Sequence, residues 1–137
     1  MTAKEYLSQA RYIDLRIKNM TIQLQSLKAA AVNISPVYSD MPRPATRNVH
    51  KTEDAIISVM DLEKEKEKEF VRLAAIHKTI SEVSAPVRQA ILLNRYIKGQ
   101  SWDEISFDLK ISLSRIYQIH KESLSEVESI LSKDVTL

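Results

Sequence analysis

Nine side chains, Tyr6, Ala10, Ile13, Ile17, Met20, Leu24, Leu27, Ala31 and Ile34, recur at alternating spacings of four and three residues. An unbroken spacing of this kind over four repeats is a heptad seam. It demands one straight helix whose stripe is covered along its whole length by another helix. At ~1.5 Å per residue that helix is about 45 Å long, more than a small globule covers. Asn33, Ser35 and Pro36 mark its end, because proline cannot continue a helix and disfavours helical backbone just before it.

The covering helix is visible further on. Ala55, Val59, Leu62, Lys66, Glu69, Leu73, Ile76, Ile80 and Val83 repeat the same spacing. Lys66 and Glu69 interrupt the seam, with Phe70 beside the gap, and a polar residue at a seam position fixes register at some cost in stability. Thr52 is the expected N-cap, followed by Glu53 and Asp54 against the helix dipole. The run DLEKEKEKE (61–69) reads as a solvated face, with Glu63–Lys66 and Glu65–Lys68 spaced for ion pairing. Helices near 3–33 and 53–83 are thus expected to form an antiparallel hairpin over residues 1–84. Between them, residues 35–51 (SPVYSDMPRPATRNVHK) hold three of the four prolines and no periodicity. The preferred reading is a connector with solvated charges; the alternative is a binding loop offering Arg43, Arg47, His50 and Lys51 to a polyanion. Leu15, Ile22 and Ala29 form a second apolar stripe on the first helix, away from its seam, which points to a homo-oligomer.

Composition narrows the possible chemistry. The 137 residues contain one glycine and no cysteine, which excludes disulfide frameworks, thiolate metal sites and glycine-rich phosphate loops. His50, His77 and His120 lie on different elements, none at metal-ligand spacing from carboxylates. No catalytic activity, cofactor or metal is expected. No apolar run approaches the ~20 residues of a membrane span, and the N-terminus lacks the apolar core of a signal peptide. A soluble intracellular protein is expected. The net charge of +2 is unevenly spread: residues 1–34 carry five basic and two acidic side chains, and 52–84 carry five against eight. This is not the basic footprint of a protein that grips nucleic acid by charge alone.

Residues 85–131 read as a second unit of three helices, followed by a tail at 132–137. Pro86 opens a helix expected to run to about Ile97, burying Val87, Ala90, Ile91 and Tyr96 or Ile97. Gly99 is its C-terminal cap. Ser101-Trp102-Asp103-Glu104 is a capping box for a short helix over about 102–109, with Trp102, Ile105 and Leu109 turned inward. Lys110-Ile111 makes a tight turn, and Ser112 caps a longer helix to about Leu131 that buries Ile116, Ile119, Leu124 and Val127. A short capped helix, a tight turn and a longer capped helix make a helix-turn-helix pattern, whose second helix presents its first turns to a DNA major groove. Ser106 is the small residue at the crossing. Leu113, Ser114, Tyr117, Gln118 and Lys121 fall opposite Ile116 and Ile119. Gln118 suits adenine, Ser114 either donates or accepts, Leu113 suits a thymine methyl, and Arg115 suits a phosphate. The expected DNA-binding set is therefore Ser101, Ser112, Leu113, Ser114, Arg115, Tyr117, Gln118 and Lys121.

The stretch VRQAILLNRYIKGQSWDEISFDLKISLSRIYQIHKESL (87–124) resembles region 4 of the bacterial sigma-70 factors, the helix-turn-helix that reads the −35 promoter element. The similarity rests on Arg115, Ile116 and Gln118-Ile119, on the SWDEIS box, and on Arg95-Tyr96 with Gly99. Lys110 stands where that family has a left-handed glycine, and Leu113, Ser114 and Tyr117 replace its charged base-reading residues, so a standard −35 hexamer is not the expected target. The likeness covers about 45 of the 137 residues. Two long helices, a proline-bearing connector and such a unit together resemble the small phage late-gene regulators of the ArpU and RinA type. That resemblance implies a transcription activator acting on double-stranded DNA in the bacterial cytoplasm. Two alternatives are a phage DNA-packaging subunit of the small-terminase type and an RNA-polymerase-binding sigma-like adaptor with Phe107 and Tyr117 as contacts.

Overall fold

The computed structural model describes the backbone of residues 1–34 and 45–135 and the side chains of 1–30 and 53–134. The protein is all-α. Among the described residues five helices follow one another, α1 (Ala3–Ile34), α2 (Ala45–Ser81), α3 (Pro86–Leu92, continued by a π-helical turn at Leu93–Ile97), α4 (Trp102–Leu109) and α5 (Leu113–Val135). Packing divides the chain into two compact units, one of Met1–Asp14 with Arg72–Leu137 and one of Leu15–Val71. The sequence reading instead separates residues 1–84 from the helix-turn-helix.

In the Leu15–Val71 unit the expected seams are present. Ile17, Met20 and Leu24 of α1 are buried, Leu27 is half-buried, and Ala55, Val59, Leu62 and Lys66 of α2 are half-buried. The helices run antiparallel: Arg16 meets Glu69 at 2.9 Å and Lys28 meets Glu63 at 3.3 Å, so one index falls as the other rises. Phe70 is half-exposed, with the Lys66 ammonium 5.8 Å from its ring centre.

In the other unit, α1 begins with a capping box absent from the sequence reading: the Glu5 N–H donates to Thr2 Oγ1, and the Thr2 N–H donates to Glu5 Oε2. Ala3, Leu7, Ala10 and Ile13 are buried, as are Ile76, Ile80 and Val83 of the second seam. Gln89 donates to the carbonyls of Ser81, the last residue of α2, and of Val83 just beyond it, while the Ser84 N–H is held by the Glu126 carboxylate. Arg88 bridges from α3 to Glu122 and Glu126 of α5, both at 3.3 Å. The three short helices close around Ile91, Ile105, Ile116 and Ile119, with Trp102, Leu109 and Ile111 packed against them. Burying each isoleucine contributes roughly 1.5–3 kcal/mol.

Five expectations need correction. Helix α2 starts at Ala45, so residues 45–51 are helical and Thr52 lies inside the helix and does not cap it. After Pro44 no proline or glycine follows in the sequence until Pro86, so nothing in that stretch breaks a helix. Helix α5 continues through 132–135 of the expected tail, where Ser-Lys-Asp-Val contains no breaker. Helix α3 is not regular to its end. Its last turn widens, and the Lys98 N–H bonds to Leu93 O at 2.9 Å. Ile91 and Tyr96 are buried as expected, and Leu92 with them, but Val87 is exposed, and Arg88 beside it is turned toward α5. On α5, Leu124 is half-buried and the neighbouring Ser123 is fully buried, its hydroxyl donating to Ile119 O at 2.7 Å. The expected connector at 35–44, including Arg43, and the side chains of Ala31, Ile34, Arg47, His50 and Lys51 lie outside the described residues.

Candidate nucleic-acid interface

Local sequence builds the α4–turn–α5 motif. Ser101, in extended backbone, accepts the Glu104 N–H at 3.2 Å, and Asp103 and Glu104 occupy the first turn, where carboxylates favour the helix dipole. The turn reverses at Lys110, which has φ 57° and ψ 42°. A non-glycine residue in this left-handed region is strained, and two hydrogen bonds close the turn around it. The Ser106 hydroxyl donates to Ile111 O, and the Ile111 N–H donates to Ser106 O at 3.2 Å. Ser106 therefore both leaves room at the crossing and ties the turn. Ser112 then caps α5 by accepting the Arg115 N–H at 3.3 Å.

Helix α5 is amphipathic about this motif. Ile116, Ile119, Ser123 and Val127 face inward. On the opposite side Leu113, Ser114, Tyr117, Gln118 and Lys121 are all exposed, as are Ser101, Ser112 and Arg115. The α4 start and the α5 face meet through aromatic rings, since Trp102, next to Ser101, packs edge-on against Tyr117 at 5.5 Å. All eight residues named from the sequence are thus exposed, and the start of α4 adjoins the α5 face. Arg115 Nη1 donates to Gln118 Oε1 at 3.0 Å, which occupies one of the two lone pairs of that oxygen. An exposed contact of this kind is worth little.

Sequence reasoning did not find the cluster behind this face. His120 sits under Trp102, with ring centres 4.6 Å apart, and its Nε2 shares a 2.7 Å hydrogen bond with the Tyr96 hydroxyl. Arg95 lies over the Trp102 ring at 4.5 Å and donates to Gln100 O. Burial, reinforced by the charges of Lys4 and Arg95, lowers the His120 pKa to about 4, so the ring is neutral at pH 7. Burial also raises the Tyr96 hydroxyl, against the opposing pull of Arg95. The only signal in the sequence was Arg95-Tyr96 as a family-like helix ending. Its contact with His120 lies 24 residues away, beyond the reach of periodicity.

Among the described residues no group of His, Asp or Glu side chains is arranged to hold a metal ion, and no helix is long and apolar enough to cross a membrane. Comparison of the chain with protein-family models, with curated proteins and with solved structures finds no match.

Proposed function

We propose that the protein is a sequence-specific double-stranded DNA-binding transcription regulator of the ArpU and RinA type, a phage or prophage late-gene activator working in the cytoplasm of its bacterial host. The observation that carries this reading is the exposed row Leu113, Ser114, Tyr117, Gln118 and Lys121 on the first turns of a helix backed by buried Ile116 and Ile119. A helix so supported and capped can enter a major groove with its N-terminal side chains at the base edges. Ser101, Arg115 and Lys121 are suited to phosphates. The near-neutral charge of the chain makes non-specific affinity poor, so two linked copies strengthen binding. Leu15 and Ile22 are 55% and 60% exposed, an apolar stripe suited to joining copies into a homo-oligomer. Selection from random duplexes with the purified protein tests the reading: a recovered consensus is expected, and an intact oligomer that enriches none refutes it.

A second reading is favoured by one observation. Phe107 on α4 is 83% exposed, and a bare phenylalanine suits a protein partner better than a phosphate backbone. In this reading the unit is a sigma-like adaptor on host RNA polymerase. Retention on polymerase that Phe107→Ala abolishes, without selection of any duplex, decides for it. A closed ring of many copies would instead identify a packaging subunit of the small-terminase type.

A further inference from the structure

A cavity of about 440 Å³ opens where the first three turns of α1 meet the corner between α3 and α4. Lys4, Arg11 and Arg95 line it, and no carboxylate does. Neither Lys4 nor Arg11 has an ion-pair partner among the described residues. Arg95 is held against Trp102 and Gln100 O, and among the described residues it has no carboxylate partner either. Three positive charges gathered without a counter-charge repel one another and leave a site suited to a compact, multiply charged anion.

The position of Arg11 depends on the chain's single glycine. Gly99 has φ +72°, and a β-carbon there would stand 2.6 Å from Arg11 Cζ and Nε. The missing side chain makes room for the guanidinium, whose planar fork matches phosphate oxygens. Tyr12, 65% exposed, stands at the same cavity with Trp102 and supplies ring faces beside the cations. Trp102 also touches Tyr117 of the candidate DNA-reading face, so cavity and face are contiguous. The field of the cluster is felt nearby: Lys4 and Arg95 both help to keep His120 from protonating.

We infer that Lys4, Arg11 and Arg95 form a phosphate-ester site, built jointly by α1 and the α3–α4 corner. Two sources supply that chemistry. One is a backbone phosphodiester of a duplex lying on α5, which rests on the DNA-binding reading; the other is a free phosphorylated small molecule, which does not.

Trp102 is the only tryptophan and lines the cavity, so its fluorescence reports occupancy. Full-length protein is titrated with inorganic phosphate, with adenosine monophosphate, and with a short duplex of random sequence, at constant ionic strength against chloride. The comparison is with the double variant K4Q/R11Q, whose fold is checked by circular dichroism, and with R11K, which keeps the charge. Saturable quenching by phosphate or the nucleotide, weakened about tenfold or more in the double variant and partly restored by R11K, supports the site with a free ligand. A loss of duplex affinity in the double variant, with a salt slope lower by about two, supports the backbone source. Duplex binding unchanged by K4Q/R11Q, together with a Trp102 signal silent to both small anions or equally responsive in the double variant, overturns the site and leaves the DNA reading standing. Quenching by phosphate in a protein that enriches no sequence from random duplexes sinks the DNA reading and leaves the site.

Discussion

Arg16 Nη1 of α1 donates to Glu69 Oε1 of α2 at 2.9 Å, and Glu69 is buried at 6% exposure in the middle of the second seam. The apparent flaw in the second heptad stripe is therefore a matched position, where a carboxylate taken from water finds a guanidinium on the facing helix. Removing Arg16 takes a hydrogen-bonded guanidinium from a buried carboxylate, while replacing the carboxylate by an apolar residue removes its desolvation penalty.

Arg16→Ala is expected to destabilise the protein by about 1–3 kcal/mol. Glu69→Leu should be neutral or stabilising, at the expense of a unique register. Urea unfolding of both variants checks this. A Glu69→Leu protein less stable than Arg16→Ala would show that the pair contributes net stability.

Lys110 adopts a left-handed backbone that glycine adopts without strain. Lys110→Gly is expected to stabilise the motif by roughly 1 kcal/mol or less, the relief of strain being partly offset by a more flexible unfolded chain. Since Lys110 is not in the reading face, selection of duplexes should not change. A lower thermal midpoint in Lys110→Gly would contradict the strain.

Stability should fall with acid through His120. A histidine in the unfolded chain titrates near 6.5, whereas burial, with Lys4 and Arg95, holds the folded one at about 4. Between these values the unfolded chain binds a proton that the folded chain does not. The contribution is complete above pH ~6.5 and is lost as pH falls toward 4, amounting to ~1–3 kcal/mol. Glu126, lowered by its hydrogen bonds from Ser84 and by Arg88, adds a loss below the ordinary carboxylate range. Thermal melts at a series of pH values should show the slope, and His120→Gln should flatten it between pH 6.5 and 4. A variant that keeps the full slope rules out His120 as its source.

Gln118→Ala should cost ~1–3 kcal/mol on a selected duplex and relax preference at one base pair. Lys121→Ala should weaken all duplexes alike and lower the salt slope by about one. Arg115→Ala frees the Gln118 amide from its 3.0 Å contact, so its loss of phosphate affinity should come without loss of sequence preference. Binding curves for the three variants on matched and mismatched duplexes separate these effects.

Much of this architecture follows from neighbours in sequence. The two 4–3 seams, the capping serines at 101 and 112, the small Ser106 and the single glycine at 99 each act within a few residues, where helix geometry alone dictates which side chains share a face. The outward row Leu113, Ser114, Tyr117, Gln118 and Lys121 was legible for that reason. The start of α2 was not, because three prolines within 35–51 made the whole stretch read as a connector although none lies beyond Pro44. Periodicity shows that a helix has a face to bury, and says nothing of which distant side chain will meet it. The partnership of Arg16 with Glu69 across 53 residues depends on how two helices align. So does the neutral His120 beneath Trp102. The seating of Arg11 against Gly99 needs α1 and the α3–α4 corner in one packed unit. Burial and the absence of a β-carbon take effect only there, and the tertiary structure alone decided these features.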